Sequence, residues 1–421
     1  MSELEVSSSD QDERAFLGLA PFLRMDLNGG NLSAKLQELV TWVQSPDAGA
    51  NDWLNLSIAQ FCLGQRELGL ATQAQALAHR RHYRIRCSQQ PAQITLLVVV
   101  APGDLAANIP IECLLEDCGA DIHLLYVDPH SPHPMGAFVP EHDVLVCALS
   151  ESQDHLLLLE TLEPLLAPWP RAVVNAPAKI HHVERVAASR LFQSAPGVRV
   201  AEVTQLSRAT LLEAMRLQSV QSLGSGMNFP ILLRPQGSHA GKDLELIKNS
   251  MQLTSYAGRV NTEHYYACPY IDYRADDGLF HKIRLAFFDG QSFPCHMATS
   301  EHWMIHYLNA GMYEHPERRQ LEQAFMEGYA EFERAHHQAL KAIAQLTGLD
   351  YFAIDCAVCP DGSLLIFEID HAMIIHAMDP PDLFPYKQTQ MAKVRNAAMQ
   401  MLLRKAKAFK DSKGLMATAD P

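Results

Sequence analysis

The chain has 421 residues, of which 48% are hydrophobic and 19% charged, a composition typical of globular proteins of several domains and unlike that of a disordered chain. Its formal net charge of −14 argues against a broad surface for nucleic acid or an anionic membrane, because both partners are themselves negative. The 9 cysteines are odd in number and lack the spacing of a disulfide framework, which indicates reduced thiols in a cytoplasmic compartment.

No targeting or membrane segment is expected from the sequence. The first residues, MSELEVSSSDQDERAF, are polar and acidic, whereas a signal peptide begins with a basic stretch followed by an apolar core. The longest apolar run, Ile94 to Pro102, is shorter than the roughly 20 residues that a membrane helix needs. We therefore expect neither a membrane association nor a nucleic-acid partner.

The N-terminal region is predicted to be helical. From Leu32 onward, apolar residues recur at three- and four-residue steps in three segments, the last of them ELGLATQAQALAHRRHYRI. Gly64 falls between the second and third segments and suits a helix-ending turn. The spacing of Trp53, Leu56, Gly64 and Ala76 resembles one degenerate tetratricopeptide repeat. Because solenoids need about three repeats, we interpret the region as a helical hairpin packed on the rest of the chain; a scaffold that binds a protein or peptide partner is the alternative.

The next region changes to alternating strands and helices. Apolar β-branched runs predict strands, and longer amphipathic runs predict helices. The predicted elements are the strand Gln93–Val100, a helix around Ile109–Cys118, the strands Asp121–Tyr126 and His142–Ala148, a helix from His155 to Leu166, and a strand at 172–175. This order predicts a small parallel α/β domain. No Gly-x-Gly-x-x-Gly follows the first strand, so a dinucleotide site is not expected there.

A cationic strand and a glycine loop follow two further helical segments, 183–193 and 206–221. The strand Phe229–Pro235 carries Arg234 near its end, and the loop Gln236–Lys242 contains small residues that let backbone N–H groups approach a ligand. Arg234 and Lys242 add positive charge, so the combination suits a polyphosphate. A plain turn is the alternative, and the glycine spacing differs from that of Walker A.

The remainder predicts sheet and two long helices. Strands are expected at Glu263–Ile271, Phe280–Phe288 and Gln291–Ala298, with Asp289-Gly290 as a hairpin turn. Pro269 indicates either a sheet edge or a strand end. Amphipathic patterns predict helices over 322–347 and 386–409.

Carboxylates concentrate on a predicted hairpin near the C-terminus. Two apolar runs, 349–358 and 364–371, flank a Pro-Asp-Gly turn. Strand alternation places Glu368 and Asp370 on one face, where Asp355 of the facing strand can join them. Such a cluster repels itself unless a cation lies in it, so we interpret it as a magnesium site of hard oxygen ligands. A solvated polar face is the alternative.

The order of cationic strand, glycine loop, strand pair and carboxylate hairpin resembles the ATP-grasp superfamily, which includes D-alanine–D-alanine ligase, glutathione synthetase and the ribosomal-protein glutamate ligases. Most specific is the Asp…Glu-x-Asn metal motif, which here reads Asp355, Glu368 and Asp370, with Asp370 in place of the usual asparagine. The resemblance implies an α/β and α+β multidomain protein, in which an ATP-grasp fold follows a small parallel pre-ATP-grasp domain and the helical hairpin. The implied divisions are 1–90 helical and tetratricopeptide-like, 91–180 pre-ATP-grasp, 181–267 and 268–410 as the ATP-grasp subdomains, and 411–421 as a flexible tail.

The resemblance also implies a site for ATP and magnesium. Arg284 matches a strand arginine that faces the transferred phosphoryl group, and Lys242 belongs to the loop that covers the phosphates, so these two are the expected catalytic cations. The nucleotide-binding residues that the resemblance implies are Arg185, Arg234, Gly237, Ser238, His239, Ala240, Gly241, Lys242, Ala267, Cys268, Pro269, Tyr270 and Ile271.

The implied activity is that of an ATP- and magnesium-dependent carboxylate–amine ligase, which forms an amide or peptide bond through an acyl phosphate. Segment 300–312, with polar and aromatic groups at close spacing before a glycine, predicts an acceptor pocket. The substrate residues expected there are His302, His306, Asn309 and His371; a hydrogen-bonded core histidine is the alternative for each His.

Several alternatives remain open at the level of sequence. An ATP-grasp kinase acting on a small-molecule hydroxyl, or a non-catalytic helical-repeat scaffold with an ATP-binding domain, fits the same motifs. Neither the carboxylate nor the amine substrate is identified, whether small molecule or peptide, and a homodimer is compatible with the sequence.

Overall fold

The computed structural model describes residues 14–131, 133–136, 138–224, 226–238 and 241–417. These residues form two compact units: the first runs up to Ala178 and resumes at Ala372, and the second is Lys179–His371. Within the described ranges, no helix combines the length and the apolar character needed to cross a membrane.

In the described part of the first unit, the helices α1 (Ala20–Leu27), α2 (Leu32–Val43), α3 (Ala50–Cys62) and α4 (Arg66–His79) come first along the chain. Gly64 lies between α3 and α4 with φ +73°, a conformation that glycine adopts readily. The Ser57 hydroxyl of α3 donates to the Gly69 carbonyl of α4 at 2.8 Å. The predicted helical hairpin is therefore confirmed, while its tetratricopeptide character stays a prediction.

The helical prediction is wrong beyond His79, because His82–Ile85 is strand β1. Arg80 has extended backbone dihedrals, with φ −157° and ψ 145°. The buried Tyr83 donates its hydroxyl to the Ala76 carbonyl at 2.9 Å. Sheet pairing thus overrides a local pattern that would also suit a helix.

The first unit contains a mainly parallel sheet. Its further strands are β2 (Ile94–Val100), β3 (Ala120–Tyr126), β4 (Val144–Cys147) and β5 (Ala172–Val174), in the order β1-β3-β2-β4-β5. Only β1 runs antiparallel to its neighbour. The parallel α/β arrangement is confirmed, with α5 (Ile111–Leu114) and α6 (Leu156–Leu166) in the connections. The helix expected over 109–118 has only the four residues of α5, since Asp117 and Gly119 take positive φ.

The long C-terminal helix α14 (Pro385–Ala417) also belongs to the first unit. Lys410 Nζ lies 2.9 Å from Asp143 Oδ1, and Arg395 Nη1 donates to the Glu116 carbonyl at 3.2 Å. The helix includes the first residues of segment 411–421, whose last four residues lie outside the described part. The domain boundaries given above stay predictions.

The second unit contains a four-stranded antiparallel sheet. The helices α7 (Pro177–Ile180) and α8 (Arg185–Leu191) and the short strand β6 (Val198–Arg199) precede it along the chain. Its strands are β7 (Thr204–Ser207), β8 (Ile231–Pro235), β9 (Glu245–Ile247) and β10 (His264–Pro269), in the order β7-β10-β8-β9. Buried side chains of α9 (Arg208–Leu217) and α10 (Ser250–Arg259) pack with those of the strands in one core. Pro269 is the last residue of β10, so it marks a strand end.

A larger sheet completes the second unit. It is formed by β11 (Phe280–Phe288), β12 (Gln291–Ser300), β13 (Tyr351–Val358) and β14 (Leu364–Asp370), in the order β12-β11-β13-β14-β6. Only β6 runs parallel to its neighbour. Asp289 and Gly290 both have positive φ, at 48° and 81°, as a tight hairpin turn requires. Both predicted hairpins, and the mixed α/β and α+β architecture, are confirmed.

The single helix predicted over 322–347 is wrong. Three helices, α11 (Pro316–Glu327), α12 (Tyr329–Ala335) and α13 (His337–Thr347), cover this stretch. The backbone leaves the helical conformation at Gly328, where ψ is 9°, and at His336, where ψ is 16°. Glycine weakens a helix interior because its backbone loses more conformational entropy on ordering than that of any other residue.

Candidate active site

Five charged side chains share one face of the larger sheet. Arg284 on β11 pairs with Asp355 on β13, and Asp355 pairs with Glu368 on β14. Lys282 and Asp370 lie two positions along their strands and therefore face the same way. The register shifts next to Arg284 and next to Asp355, and such bulges re-aim side chains near functional sites. The predicted placement of the three carboxylates on one face is confirmed.

Asp355 is held by two cations. Arg284 donates from Nε to Oδ1 at 2.7 Å and from Nη2 to Oδ2 at 2.9 Å, while Lys282 Nζ lies 2.6 Å from Oδ2. Asp355 is only 1% exposed. Burial by itself would raise its pKa, but Arg284 and Lys282 outweigh this effect and hold the pKa well below its ordinary value. The carboxylate is therefore ionised at neutral pH.

Glu368 is held by Arg185, the first residue of α8. Arg185 Nη2 lies 2.6 Å from Glu368 Oε1, and Nη1 approaches the Phe367 carbonyl at 3.4 Å. Burial would raise the pKa of Glu368, yet the charge of Arg185 outweighs burial and lowers it. Glu184 caps α8 by accepting from the Ala187 N–H at 2.7 Å, which fixes the helix start that carries Arg185.

Arg234 on β8 is oriented by the glycine loop. Its Nε donates to Ser238 Oγ at 3.1 Å, and its Nη2 donates to the Ser238 carbonyl. Burial and then the charge of Arg185 lower the pKa of Arg234 to about 10. Burial raises the pKa of the Cys268 thiol to about 11 against the opposing effect of both arginines. The structure therefore brings together four of the predicted nucleotide-binding residues.

The predicted nucleotide-binding stretch from Ala267 to Ile271 begins where one strand partner ends. β7 pairs with His264–Ala267 and stops there, whereas β8 continues alongside β10 to Pro269. Ala267 is buried within the ladder, and Tyr270 N–H donates to the Pro230 carbonyl at 3.1 Å. Ile271 follows as a half-buried residue. From Cys268 onward, β10 no longer pairs with β7. Backbone groups on that edge can therefore hydrogen-bond to a ligand.

The predicted phosphate loop is described only in part, because His239 and Ala240 lie outside the described residues. Gly237 and Gly241 have φ of +70° and +72°, values that favour glycine. A Cβ atom at Gly241 would lie 3.3 Å from Met304 Sδ, so the loop contacts the predicted acceptor segment. Lys242 at its end is exposed.

The acceptor segment is anchored by side chains of α11. Arg319 Nη1 donates to the Met312 and Tyr313 carbonyls, each at 2.8 Å. Glu322, which is 0% exposed, accepts from the Met297 N–H at 3.0 Å and from the Tyr307 hydroxyl at 2.9 Å. These contacts tie the segment to both α11 and β12.

The four predicted substrate residues differ in placement. Partial burial and then the charges of Lys282 and Arg284 lower the pKa of His306. The His306 ring is therefore close enough to these two cations to interact with them electrostatically. Asn309 Oδ1 accepts from the His306 N–H at 3.0 Å, and His302 is exposed. His371 is fully buried, with Nδ1 3.7 Å from Asp370 Oδ1. Their substrate role stays a prediction.

Two residues of this face were not predicted from the sequence, Lys282 and His296. Lys282 precedes Arg284 by two residues in a strand, so alternation alone places both on one face. His296 pairs with Arg284 across β11 and β12, and its ring centroid lies 4.7 Å from that of Tyr307. The hairpin turn at Asp289-Gly290 indicated that β11 and β12 pair. The bulge after Arg284 shifts the register of this pair, so the residue opposite Arg284 could not be predicted from the sequence.

The donor chemistry of the three carboxylates fits magnesium, which prefers hard oxygen ligands. In the part of the chain that the structure describes, however, no group of three or more His, Cys, Asp or Glu side chains is arranged to hold a metal ion. Asp355 and Glu368 are instead each engaged by cationic side chains. The assignment of Asp355, Glu368 and Asp370 as metal ligands stays a prediction.

Comparison with known proteins gives distant matches. No protein-family model and no curated protein matches the chain. Among solved structures, it is similar to a RimK domain protein ATP-grasp from Sphaerobacter thermophilus, at 14% identity and TM-score 0.41 over 73% of this chain and 99% of that one. The D-alanine-D-alanine ligase from Coxiella burnetii matches at 12% identity and TM-score 0.45 over 77% and 99%, respectively.

The VanG D-Ala:D-Ser ligase from Enterococcus faecalis matches at 11% identity and TM-score 0.44, over 73% of this chain and 99% of that one. The similarity is to ATP-grasp and ligase structures.

Proposed function

We propose that this protein is an ATP- and magnesium-dependent carboxylate–amine ligase that acts on an amino acid or peptide. The observation that carries the proposal is the charged face on β11, β13 and β14, where Lys282 and Arg284 surround the buried Asp355. Arg185 and Arg234 extend the same positive field toward the glycine loop. Fixed cations beside carboxylates are the arrangement that phosphoryl transfer needs, since the protein contributes mainly positioning and electrostatic stabilisation.

Arg185 and Arg234 are proposed to bind the nucleotide phosphates. Both guanidinium groups are partly buried, and such groups give short bidentate contacts to phosphate oxygens. Ser238 Oγ accepts a hydrogen bond from Arg234 Nε at 3.1 Å, which holds this guanidinium group beside the glycine loop. The backbone from Cys268 to Ile271 is proposed to read the adenine edge.

The reaction begins when an oxygen of the substrate carboxylate attacks the γ-phosphorus of ATP; the bond to the bridging oxygen breaks, and ADP leaves with an acyl phosphate formed. Arg284 and Lys282 stabilise the charge on the transferred phosphoryl group and on the carboxylate oxygen. Magnesium held by Asp355, Glu368 and Asp370 would neutralise and align the phosphates.

The amine then attacks the acyl carbon, and inorganic phosphate leaves as the amide bond forms. A base must accept the proton that the amine loses. His306 is proposed for this role, because its lowered pKa keeps the imidazole neutral at pH 7. The anchored segment around it is proposed as the acceptor pocket.

The test is incubation with ATP, magnesium and pooled amino acids and peptides, followed by mass spectrometry and by ADP and phosphate assays. We expect ADP, inorganic phosphate and an amide product in equal amounts. Arg284→Gln should abolish all three, whereas Arg216→Gln, which removes an exposed pair with Glu213, should not. A phosphorylated product without an amide would replace the ligase by a kinase, and nucleotide binding without turnover would favour the non-catalytic scaffold.

A further inference from the structure

The two oxygens of Asp355 accept three contacts from two cations. Arg284 takes one contact to each oxygen, and Lys282 adds a second contact to Oδ2. A carboxylate offers about four lone-pair positions, so this set leaves little of the group open to another ligand. Asp355 therefore cannot ligate a divalent cation fully while both side chains remain attached.

The two cations differ in how easily they detach. Arg284 binds through a planar fork, in which two parallel N–H donors fit the two carboxylate oxygens. Lys282 makes one contact through a compact ammonium group on a flexible four-carbon stem. The side chains of Lys282 and Arg284 are almost equally exposed, at 19% and 20%, so the difference between them lies in the geometry of their contacts. Lys282 is therefore the partner that can leave while Arg284 continues to orient the carboxylate.

We propose that Lys282 is an exchangeable cation of the active site. Its ammonium group neutralises Asp355 until a nucleotide–metal complex enters, and it then leaves Asp355 and contacts the anion brought in. That anion is a phosphoryl oxygen or the carboxylate of the substrate. The inference rests on the proposed function, and it assigns to Lys282 a role separate from that of Arg284.

Charge balance supports this order of events. At Asp355 itself, the charges of Lys282 and Arg284 exceed the single charge of the carboxylate, although Glu368 and Asp370 add negative charge to the same face. A free divalent cation that approaches Asp355 must come close to the two positive side chains already in contact with it. The same cation accompanied by nucleotide phosphates brings negative charge with it, and the released ammonium then has a new partner. Metal binding is consequently coupled to nucleotide binding.

The experiment measures Mn²⁺ binding from the electron paramagnetic resonance signal of the free ion, with and without a non-hydrolysable ATP analogue. Three chains are compared: the unaltered protein, Lys282→Met and the control Lys248→Met, which alters an exposed lysine of the same unit. Without the analogue, we expect Lys282→Met to bind Mn²⁺ about tenfold more tightly than the unaltered protein, because one adjacent positive charge is gone. With the analogue, this difference should shrink, and Lys248→Met should follow the unaltered protein throughout.

Equal or weaker Mn²⁺ binding by Lys282→Met without the analogue would overturn the inference. Lys282→Gln provides a second variant that retains hydrogen-bonding capacity. If both variants lose their cooperative thermal transition, Lys282 is a structural counter-ion of Asp355 and the exchange is refuted. If the unaltered protein binds neither the analogue nor Mn²⁺ in its presence, the proposed function itself fails; analogue binding with an unchanged Mn²⁺ affinity in the variant refutes only the exchange.

Discussion

Arg284 donates two hydrogen bonds to Asp355, one to each carboxylate oxygen, across neighbouring strands of the larger sheet. The two residues are 71 positions apart in sequence, and the pairing of β11 with β13 makes them direct neighbours. This ion pair is the centre of the proposed active site, because Lys282, Glu368 and the His306 ring all lie in its field. It also makes the stability of the second unit depend on pH.

Asp355→Asn should lower the free energy of unfolding by about 3 kcal/mol at pH 7, since it leaves a partly buried cation pair without its carboxylate. The folded-state pKa of Asp355 lies below its ordinary value of 3.8. The stabilisation is therefore fully present above that value and is lost as pH falls through it toward the folded-state pKa.

Urea denaturation followed from pH 3 to pH 7 provides the measurement for Asp355→Asn. The difference from the unaltered protein should stay constant at the upper end and shrink below about pH 4. Asp276→Asn, at an exposed position of the same unit, should show no such pH-dependent difference. A gap that widens toward acid would contradict the assignment.

Arg234→Gln should weaken nucleotide binding by about tenfold or more, because a charge-assisted contact to phosphate is lost. Titration with a fluorescent ATP analogue measures the affinity. Arg259→Gln is the matched control, since Arg259 pairs with Glu245 through an exposed contact. Equal affinity in both variants would remove Arg234 from the nucleotide site.

His306→Gln should reduce the rate of amide formation by about a hundredfold, the effect of losing a general base, while leaving nucleotide affinity unchanged. The pKa of His306 is lowered from 6.5. The rate of the unaltered protein should therefore rise with pH in the acidic range and reach its plateau before about pH 6.5, and the variant should lack this rise. His336→Gln is the control, because burial also lowers the pKa of that histidine. A pH–rate profile unaffected by His306→Gln would assign the proton transfer to another group.

Asp370→Asn should retain activity within about threefold, because an amide oxygen also ligates magnesium. The Asp370 side chain is 34% exposed, so an amide of the same shape should fit at this position. Steady-state ADP production in the presence of substrate checks this, with Asp355→Asn as the inactive comparison. Complete loss in Asp370→Asn would show that the negative charge itself is required.

Features governed by neighbouring residues could be predicted from the sequence. Strand alternation placed Glu368 and Asp370 on one face, and Asp289-Gly290 marked a hairpin, since both depend on local backbone geometry. Gly64 marked the turn of the helical hairpin for the same reason. Each of these predictions needed only a few consecutive residues.

The tertiary structure decided the partners of those residues. The pairing of β11 with β13 brings Lys282 and Arg284 onto Asp355, a contact that no local pattern specifies. β1 became a strand because its edge pairs with β3, although its sequence also suits a helix. The sequence by itself determined which faces of the strands carry charge. Long-range strand register determined that the carboxylates contact cationic side chains, because hydrogen bonding between distant segments sets which residues of neighbouring strands lie side by side.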